Sequence, residues 1–453
     1  MAIKDDEANR ISARAARYAR VGVNVGGVAA RLAGARLLGR DRTRYASDLA
    51  QALGGLKGPL MKVAQLMATI PDVLPPEYAE ELQKLQSDAP PMGPAFVKRR
   101  MTAELGPDWK DRFSSFDLTP SAAASLGQVH RAVSLEGAPL AVKLQYPDMQ
   151  SAVEADLAQL QVLFSLHRRM DPAIDTREIA EELGARIREE LDYRREAKHA
   201  ALYASMLSDV PEVRVPGTHA ALSTGRLLTL DWLEGTKLLS HRDASLDIRN
   251  RLAMVMFQAW WRPFSHYGVI HGDPHLGNYT IWAEEGEPRG INLLDYGCIR
   301  IFPASFVKGV VDLYEGLKSD DRARVVSAYE TWGFRGLTNE LIEALSIWAR
   351  FIYGPLLDDR VRTIADGVAP GHYGRREAFL VHKTLKEKGP VTVPREFVFM
   401  DRAAIGLGSV FLHLRAELNF HDLFVETIAG FSAAEVTRRQ EAALASVGLE
   451  NQP

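Results

Sequence analysis

Cysteine is nearly absent: Cys298 is alone in 453 residues. That excludes an internal disulfide framework and any multi-cysteine metal cluster, and it fits a reducing compartment. Long hydrophobic runs are lacking as well. The best stretch, Val21 to Leu38, is broken by Asn24, Arg31 and Arg36, short of the roughly 18 uninterrupted apolar residues that a spanning helix needs. Charge of one sign is missing too. Lys+Arg 55 against Asp+Glu 58 leaves a net charge of -3, so there is no global basic field for nucleic acid. What remains, with 46% hydrophobic and 25% charged residues, has the balance of a core-forming cytoplasmic protein, an enzyme or a binding protein.

The near-neutral total hides an asymmetry. Up to Arg44 the chain has ten basic residues against Asp5, Asp6, Glu7 and Asp41, six positive charges in excess, and the rest carries nine negative ones. This head also holds Gly22 and Gly26 at GxxxG spacing. Two readings stay open: attraction to an anionic inner-membrane surface, or a solvated basic helix packed by its small face. No apolar core follows the start, and three early acids spoil a presequence, so secretory or mitochondrial targeting is not expected.

Helical periodicity runs from Tyr45 to about Met101, broken at Pro75-Pro76 and Pro90-Pro91. Leu126–Val133 and Pro139–Leu144 alternate around a Glu136-Gly137 turn, as a hairpin does. Helical stretches are expected at Asp148–Arg168 and Thr176–Leu207. Strands are expected at Glu212–Val215, Arg226–Trp232, Tyr279–Trp282 and Ile291–Leu294, and mostly helices after Ile301. The order is helices, a small sheet, then a larger helical lobe, with a ligand cleft between lobes.

The chemistry concentrates in His271-Gly-Asp-Pro-His-Leu-Gly-Asn278 and Leu293-Leu-Asp-Tyr-Gly297. Phosphoryl transfer from a magnesium nucleotide needs an acid near the acceptor and oxygen ligands for Mg²⁺. Asp273 and Asn278 have the Asp-x-x-x-x-Asn spacing of a kinase catalytic loop, and Asp295 sits where a metal-binding Asp-Phe-Gly aspartate would. The strands between them form a hairpin that brings both ends together. His275 lacks clustered ligand partners and is read as ordering its loop, while Cys298 is read as a small packing residue.

Upstream, Lys143 in Ala141-Val-Lys-Leu144 can reach the α/β-phosphates; the plain reading is an edge-strand surface lysine. Ala122, Ala123, Ala124 and Ser125 stand where a protein kinase has a glycine-rich loop, and alanine makes a stiffer loop than glycine. Backbone at Asp231 and Leu233, near the turn at Gly235, can hydrogen-bond the adenine. Around Glu190 the mixed charges of residues 186–198 read by themselves as a solvated helix face. On one ideal helix Glu190 and Glu196 stand about 240° apart, facing different partners.

These blocks resemble the UbiB family of atypical kinases, the AarF-domain or coenzyme-Q-supporting kinase-like proteins, over roughly residues 45 to 440. The resemblance rests on Lys62-Val-Ala-Gln65, Ala122 to His130, Glu190-Leu-Asp-Tyr-Arg-Arg-Glu-Ala197, and His271 to Asn278 with Asp295. It implies a protein-kinase-like α+β fold of two lobes, with an N-terminal helical extension and a divergent all-helical C-lobe. The corresponding boundaries are a basic segment 1–44, the extension 45–110, an N-lobe 111–235 and a C-lobe 236–445.

The resemblance also implies that Lys62 and Gln65 lie over the active site, obstruct a protein substrate and meet Glu190 and Asp192. Glu196 then pairs with Lys143, Asp273 acts as base or orients water, and Asn278 and Asp295 hold Mg²⁺ on ATP or ADP. Two departures stand out: Ala64 replaces the family's glycine, and Asp-Tyr-Gly replaces Asp-Phe-Gly. The implied function is an ATPase supporting ubiquinone biosynthesis at a membrane, with a lipid or quinone precursor as partner and peripheral membrane contact through residues 1–44. Two alternatives stay open: a small-molecule phosphotransferase of the aminoglycoside or choline kinase type, which would lack the Lys62/Gln65 and Glu190/Asp192 blocks, and a nucleotide-gated lipid-binding scaffold.

Overall fold

Alternation along the hairpin dictates the first sheet. In β4 (Pro139–Gln145), Leu140, Val142 and Leu144 are fully buried while Ala141 and Lys143 point to the other face. β3 (Gly127–Val133) pairs antiparallel with β4 through the whole hairpin, from Gly127↔Gln145 to Val133↔Pro139. The turn is where the sequence expects it, with Gly137 at φ +87° and the Ser134 hydroxyl accepting from Glu136 and Ala138 N–H. β6 (Leu227–Asp231) takes the free side of β4, while β1 (Ser115–Phe116) and β2 (Ala122–Ala124) share the other side of β3. β4 is therefore an interior strand, so the edge-strand reading of Lys143 does not hold.

The computed structural model describes residues 92–124, 126–147, 187–367 and 394–450, and in addition 149–150, 153–154, 157, 184–185, 380–381 and 383–384. Lys62, Gln65 and Ser125 lie outside the described residues, as does nearly all of the expected helix at Asp148–Arg168.

The chain divides into two units. Among described residues the first holds 92–157, 184–194 and His219–Asp231; the second holds Arg195–Thr218 and 232–450. The first unit packs α1 (Pro94–Leu105) and a 3₁₀ turn at Trp109–Arg112 on the sheet, around Val97, Met101, Trp109, Leu140, Val142 and Leu144.

The second unit is mainly helical. α3 (Leu246–Tyr267) runs through its core, capped by the Ser245 hydroxyl and ended by Gly268 at φ +64°. Two small sheets sit against it: β7 (Val269–His271) antiparallel to β10 (Ile299–Ile301), and β8 (Tyr279–Glu284) antiparallel to β9 (Glu287–Leu293), with β5 (Val213–Arg214) parallel to β9. Helices α4 (Ala304–Ser319), α5 (Arg322–Thr331), α6 (Asn339–Leu357), α7 (Arg395–Leu414), α8 (Phe420–Ile428) and α9 (Ala433–Ser446) complete it. Among the described residues no helix is long and apolar enough to cross a membrane.

The stretch expected as one helix to Leu207 is broken. Residues 190–192 form a turn, with Asp192 N–H on Glu189 O at 2.9 Å, and a new helix, α2 (Tyr193–Met206), starts behind it. Asp192 Oδ1 accepts Arg194 N–H at 3.1 Å, an aspartate at a helix start, and Gln145 Nε2 holds Leu191 O at 2.6 Å. Glu190 and Glu196 thus stand on two elements, and the 240° separation on one ideal helix does not apply.

Candidate active site

The turn after β7 is fixed from behind. The His271 side chain is fully buried: its Nδ1 accepts Asp273 N–H at 3.1 Å, so Nε2 carries the hydrogen and donates to Asp295 O at 2.8 Å. Trp260 Nε1 donates to His271 O at 2.9 Å, and Gly272 N–H to Cys298 O at 2.7 Å. A Cβ at Gly272 would stand 3.1 Å from that oxygen, so the glycine allows the close approach. His275 orders the loop as expected, with Nδ1 accepting Gly277 N–H and its carbonyl accepting Asn278 N–H. Cys298 is buried in the core.

Asn278 closes the turn: its Nδ2 donates to Asp273 O at 2.9 Å, and its carbonyl accepts Leu294 N–H at 2.9 Å. The β8–β9 register, Tyr279↔Leu293, places Asn278 and Leu294 side by side. Asp295 follows, its Oδ1 accepting Gly297 N–H at 2.9 Å. Asp273, Asn278 and Asp295 are each part-exposed, beside buried Gly272, Tyr279 and Tyr296 respectively. Burial pushes the Tyr279 phenol well up, and the Asp273 carboxylate adds to it; burial with Tyr203, Asp295 and Glu196 does the same to Tyr296. Both phenols stay neutral at physiological pH.

Behind Asp295 the Tyr296 ring packs on Tyr203 and His271, and its hydroxyl donates to Leu293 O at 2.9 Å. Glu196 in α2, only 3% exposed, accepts Tyr296 N–H at 3.5 Å, and His199 Nδ1 donates to Tyr296 O at 3.1 Å. The second unit therefore gathers Asp273, Asn278, Asp295 and Glu196. Sequence reading passed over His271 as a link and His199 altogether. The signal for His199 was its position three residues after Glu196, on the same helix face.

The remaining candidates belong to the first unit, apart from Leu233 in the second. Lys143 lies on β4 between Val129 and Leu228, with Nζ 5.2 Å from the Tyr193 ring centroid. Ala122, Ala123 and Ala124 form a strand on Val129, Gln128 and Gly127 in place of an open loop. Glu190 and Asp192 occupy the turn before α2. Asp231 ends β6, and its carboxylate meets His219 Nε2 at 2.8 Å. Leu233 is half-buried, one residue before Glu234, whose carbonyl accepts from buried Asn292 Nδ2 at 3.0 Å.

The oxygen donors so gathered are hard ligands, suited to Mg²⁺. Asn278 commits its amide nitrogen to Asp273 O, which leaves Oδ1 as the atom that could hold a metal.

A family model described as the ABC1 atypical kinase-like domain matches residues 84–329. Atypical kinase COQ8B, mitochondrial, of Rattus norvegicus is 25% identical over 394 residues, covering 86% of this chain and 73% of that one. Protein ACTIVITY OF BC1 COMPLEX KINASE 8, chloroplastic, of Arabidopsis thaliana is 30% identical over 294 residues, 63% of this chain but 38% of the relative's length. A solved structure described as the complex of Rv3197 with erythromycin, from Mycobacterium tuberculosis, matches with a TM-score of 0.58 at 27% identity, covering 88% of this chain and 99% of that one. The family match spans more than half of the chain, and its fold is the kinase-like α+β one; the protein belongs to the ABC1 atypical kinase-like family, the UbiB or AarF-domain group.

Proposed function

We propose that the protein binds Mg²⁺–ATP or ADP and carries out phosphoryl chemistry as an ATPase of the UbiB type, supporting ubiquinone biosynthesis at a membrane. One observation carries the reading: two bonds tie the two acid-bearing segments together, His271 Nε2–H to Asp295 O and Leu294 N–H to Asn278 O, and a third, Asn278 Nδ2–H to Asp273 O, closes the loop that carries Asp273. Such pre-set geometry is what phosphoryl transfer asks of a protein, since positioning and charge stabilisation supply most of the rate.

In this reading Asn278 Oδ1 and the Asp295 carboxylate hold the ion, which neutralises charge on the phosphate oxygens. Asp273 orients water or accepts the acceptor's proton. The resemblance gives Lys143 the phosphate oxygens with Glu196 as its partner, and the backbone at Asp231 and Leu233 is read as taking the adenine. The quinone link, a lipid-like partner and the obstruction of a protein substrate by Lys62 all come from the resemblance to coenzyme-Q-supporting kinases.

Nucleotide binding and phosphate release measured together test the assignment. Asp295→Asn is expected to lose Mg²⁺-dependent nucleotide binding. Asp273→Asn is expected to keep binding and lose turnover by about 10²- to 10⁴-fold. Wild-type binding by Asp295→Asn removes the site assignment. Unaltered quinone intermediates in an Asp273→Asn strain remove the pathway, and stoichiometric phosphorylation of a soluble alcohol decides for a small-molecule kinase.

A further inference from the structure

Helix α2 carries a second buried polar residue one turn after Glu196, and the phosphoryl chemistry above gives it no part. His199 is 2% exposed, and the partner of its Nδ1 is a carbonyl, Tyr296 O at 3.1 Å, so Nδ1 carries the hydrogen. Glu196 takes the N–H of the same residue. One face of one helix thus grips both backbone polar groups of Tyr296.

The carbonyl grip reaches further than the amide grip. Tyr296 C=O and Gly297 N–H belong to the same planar trans peptide, in which the two groups point in opposite directions. One end of that plane is on His199. The other end donates to Asp295 Oδ1 at 2.9 Å. Rotation of the plane is the soft motion here, because it changes ψ of Tyr296 and φ of Gly297, and glycine accepts either sign of φ. A rotated plane withdraws the N–H from the carboxylate and turns a carbonyl oxygen toward it, acceptor against acceptor.

We infer that His199 is a positioning residue for Asp295: by fixing the Tyr296–Gly297 peptide plane it fixes the direction of the carboxylate and sets the metal affinity of the site. The inference rests on the reading of Asp295 as a metal ligand. A group bonded directly to a ligand changes metal affinity by about 10- to 100-fold when lost; here that group is Gly297 N–H, and His199 acts on the ligand through it.

The test is an Mg²⁺ titration of binding of a fluorescent ADP analogue to the full chain, with melting temperatures alongside. His199→Leu keeps bulk and removes the donor. His199→Asn places an amide N–H where the imidazole Nδ1–H stood. The leucine variant is expected to raise the Mg²⁺ half-saturation several-fold, up to about ten-fold, with metal-free ADP binding unchanged, and the asparagine variant is expected to restore it. A rise equal in both variants, or in neither, overturns the inference, since a residue that only fills space is not rescued by a donor. If the leucine variant does not fold, His199→Gln, whose amide reaches toward the Nε2 position, replaces it in the same contrast. Asp295→Asn is the reference. A normal half-saturation in that variant overturns the metal-ligand reading and the inference with it, whereas a rise there without one in His199→Leu overturns the inference alone.

Discussion

Gly127 shows how a motif residue can be conspicuous in sequence while its purpose is not. It stands in the Ser-Leu-Gly-Gln-Val-His block that resembles the family, where a phosphate loop is expected. In the fold it opens β3, and a Cβ there would lie 2.1 Å from Leu144 O and 3.1 Å from the Tyr193 hydroxyl. Gly127→Ala therefore has to push β3 off β4 beside Lys143. Overpacking of this kind costs about 1–3 kcal/mol, so the melting temperature is expected to fall; an unchanged melting temperature would show that the strand end splays freely. Gln128 and His130 in the same block turn inward too. Gln128 Oε1 accepts Met92 N–H at 2.7 Å, its Nε2 bonds His130 Nε2 at 2.8 Å, and His130 Nδ1 donates to Asp117 O at 2.8 Å. The residue types were readable, but partners 13 and 36 positions away were not, so a structural tie between the sheet and Met92, just before α1, passed as a family mark.

Elements were legible where the signal is local. The β3–β4 hairpin carries period-2 alternation, and β3, β4, β6 and β8 stand within a residue or two of their expected bounds, whereas β9 begins at Glu287, four residues before the expected Ile291. β7 and β10 were missed: each has three residues and a partner nearly thirty positions away, so no periodicity marks them. The break at 190–192 was invisible for another reason. Glu190-Leu-Asp192 contains neither Gly nor Pro, and the turn depends on a bond from Gln145. Long-range pairing also sets a pH response in the second unit. Trp348 Nε1 of α6 donates to Asp401 Oδ1 of α7 at 2.7 Å, and burial pushes the Asp401 carboxyl up to about 7 from 3.8. A carboxyl with a raised folded pKa favours the fold fully below 3.8 and loses that contribution as pH rises through about 7. Melting curves should therefore fall between those limits through Asp401. Asp401→Asn keeps an acceptor for Trp348 and is expected to flatten that part of the profile; an unchanged slope would place the titration elsewhere.

At the scale of the molecule, each unit has its own apolar cluster, one on the five-stranded sheet and one around α3. The composition promised that much core without saying it would be split. Total charge said least, because a net -3 averages a head with six excess positive charges and a remainder with nine negative ones. Screening decides what such a head can do. At about 0.1 M salt the Debye length is about 10 Å, so only charges within about that distance of an anionic surface feel it, and the total of the whole chain does not decide what residues 1–44 can do there. Each basic residue close to such a surface contributes about 1 kcal/mol. Neutralising Arg10, Arg14, Arg17 and Arg20 to Gln in the full chain is thus expected to weaken sedimentation with anionic phospholipid vesicles by orders of magnitude at low salt, while phosphatidylcholine vesicles bind neither form. Raising the salt should erase the difference. A wild-type head that binds neutral and anionic vesicles alike, or a quadruple variant that still binds the anionic ones, would leave those arginines as a solvated face and send the search for a membrane contact to the rest of the chain.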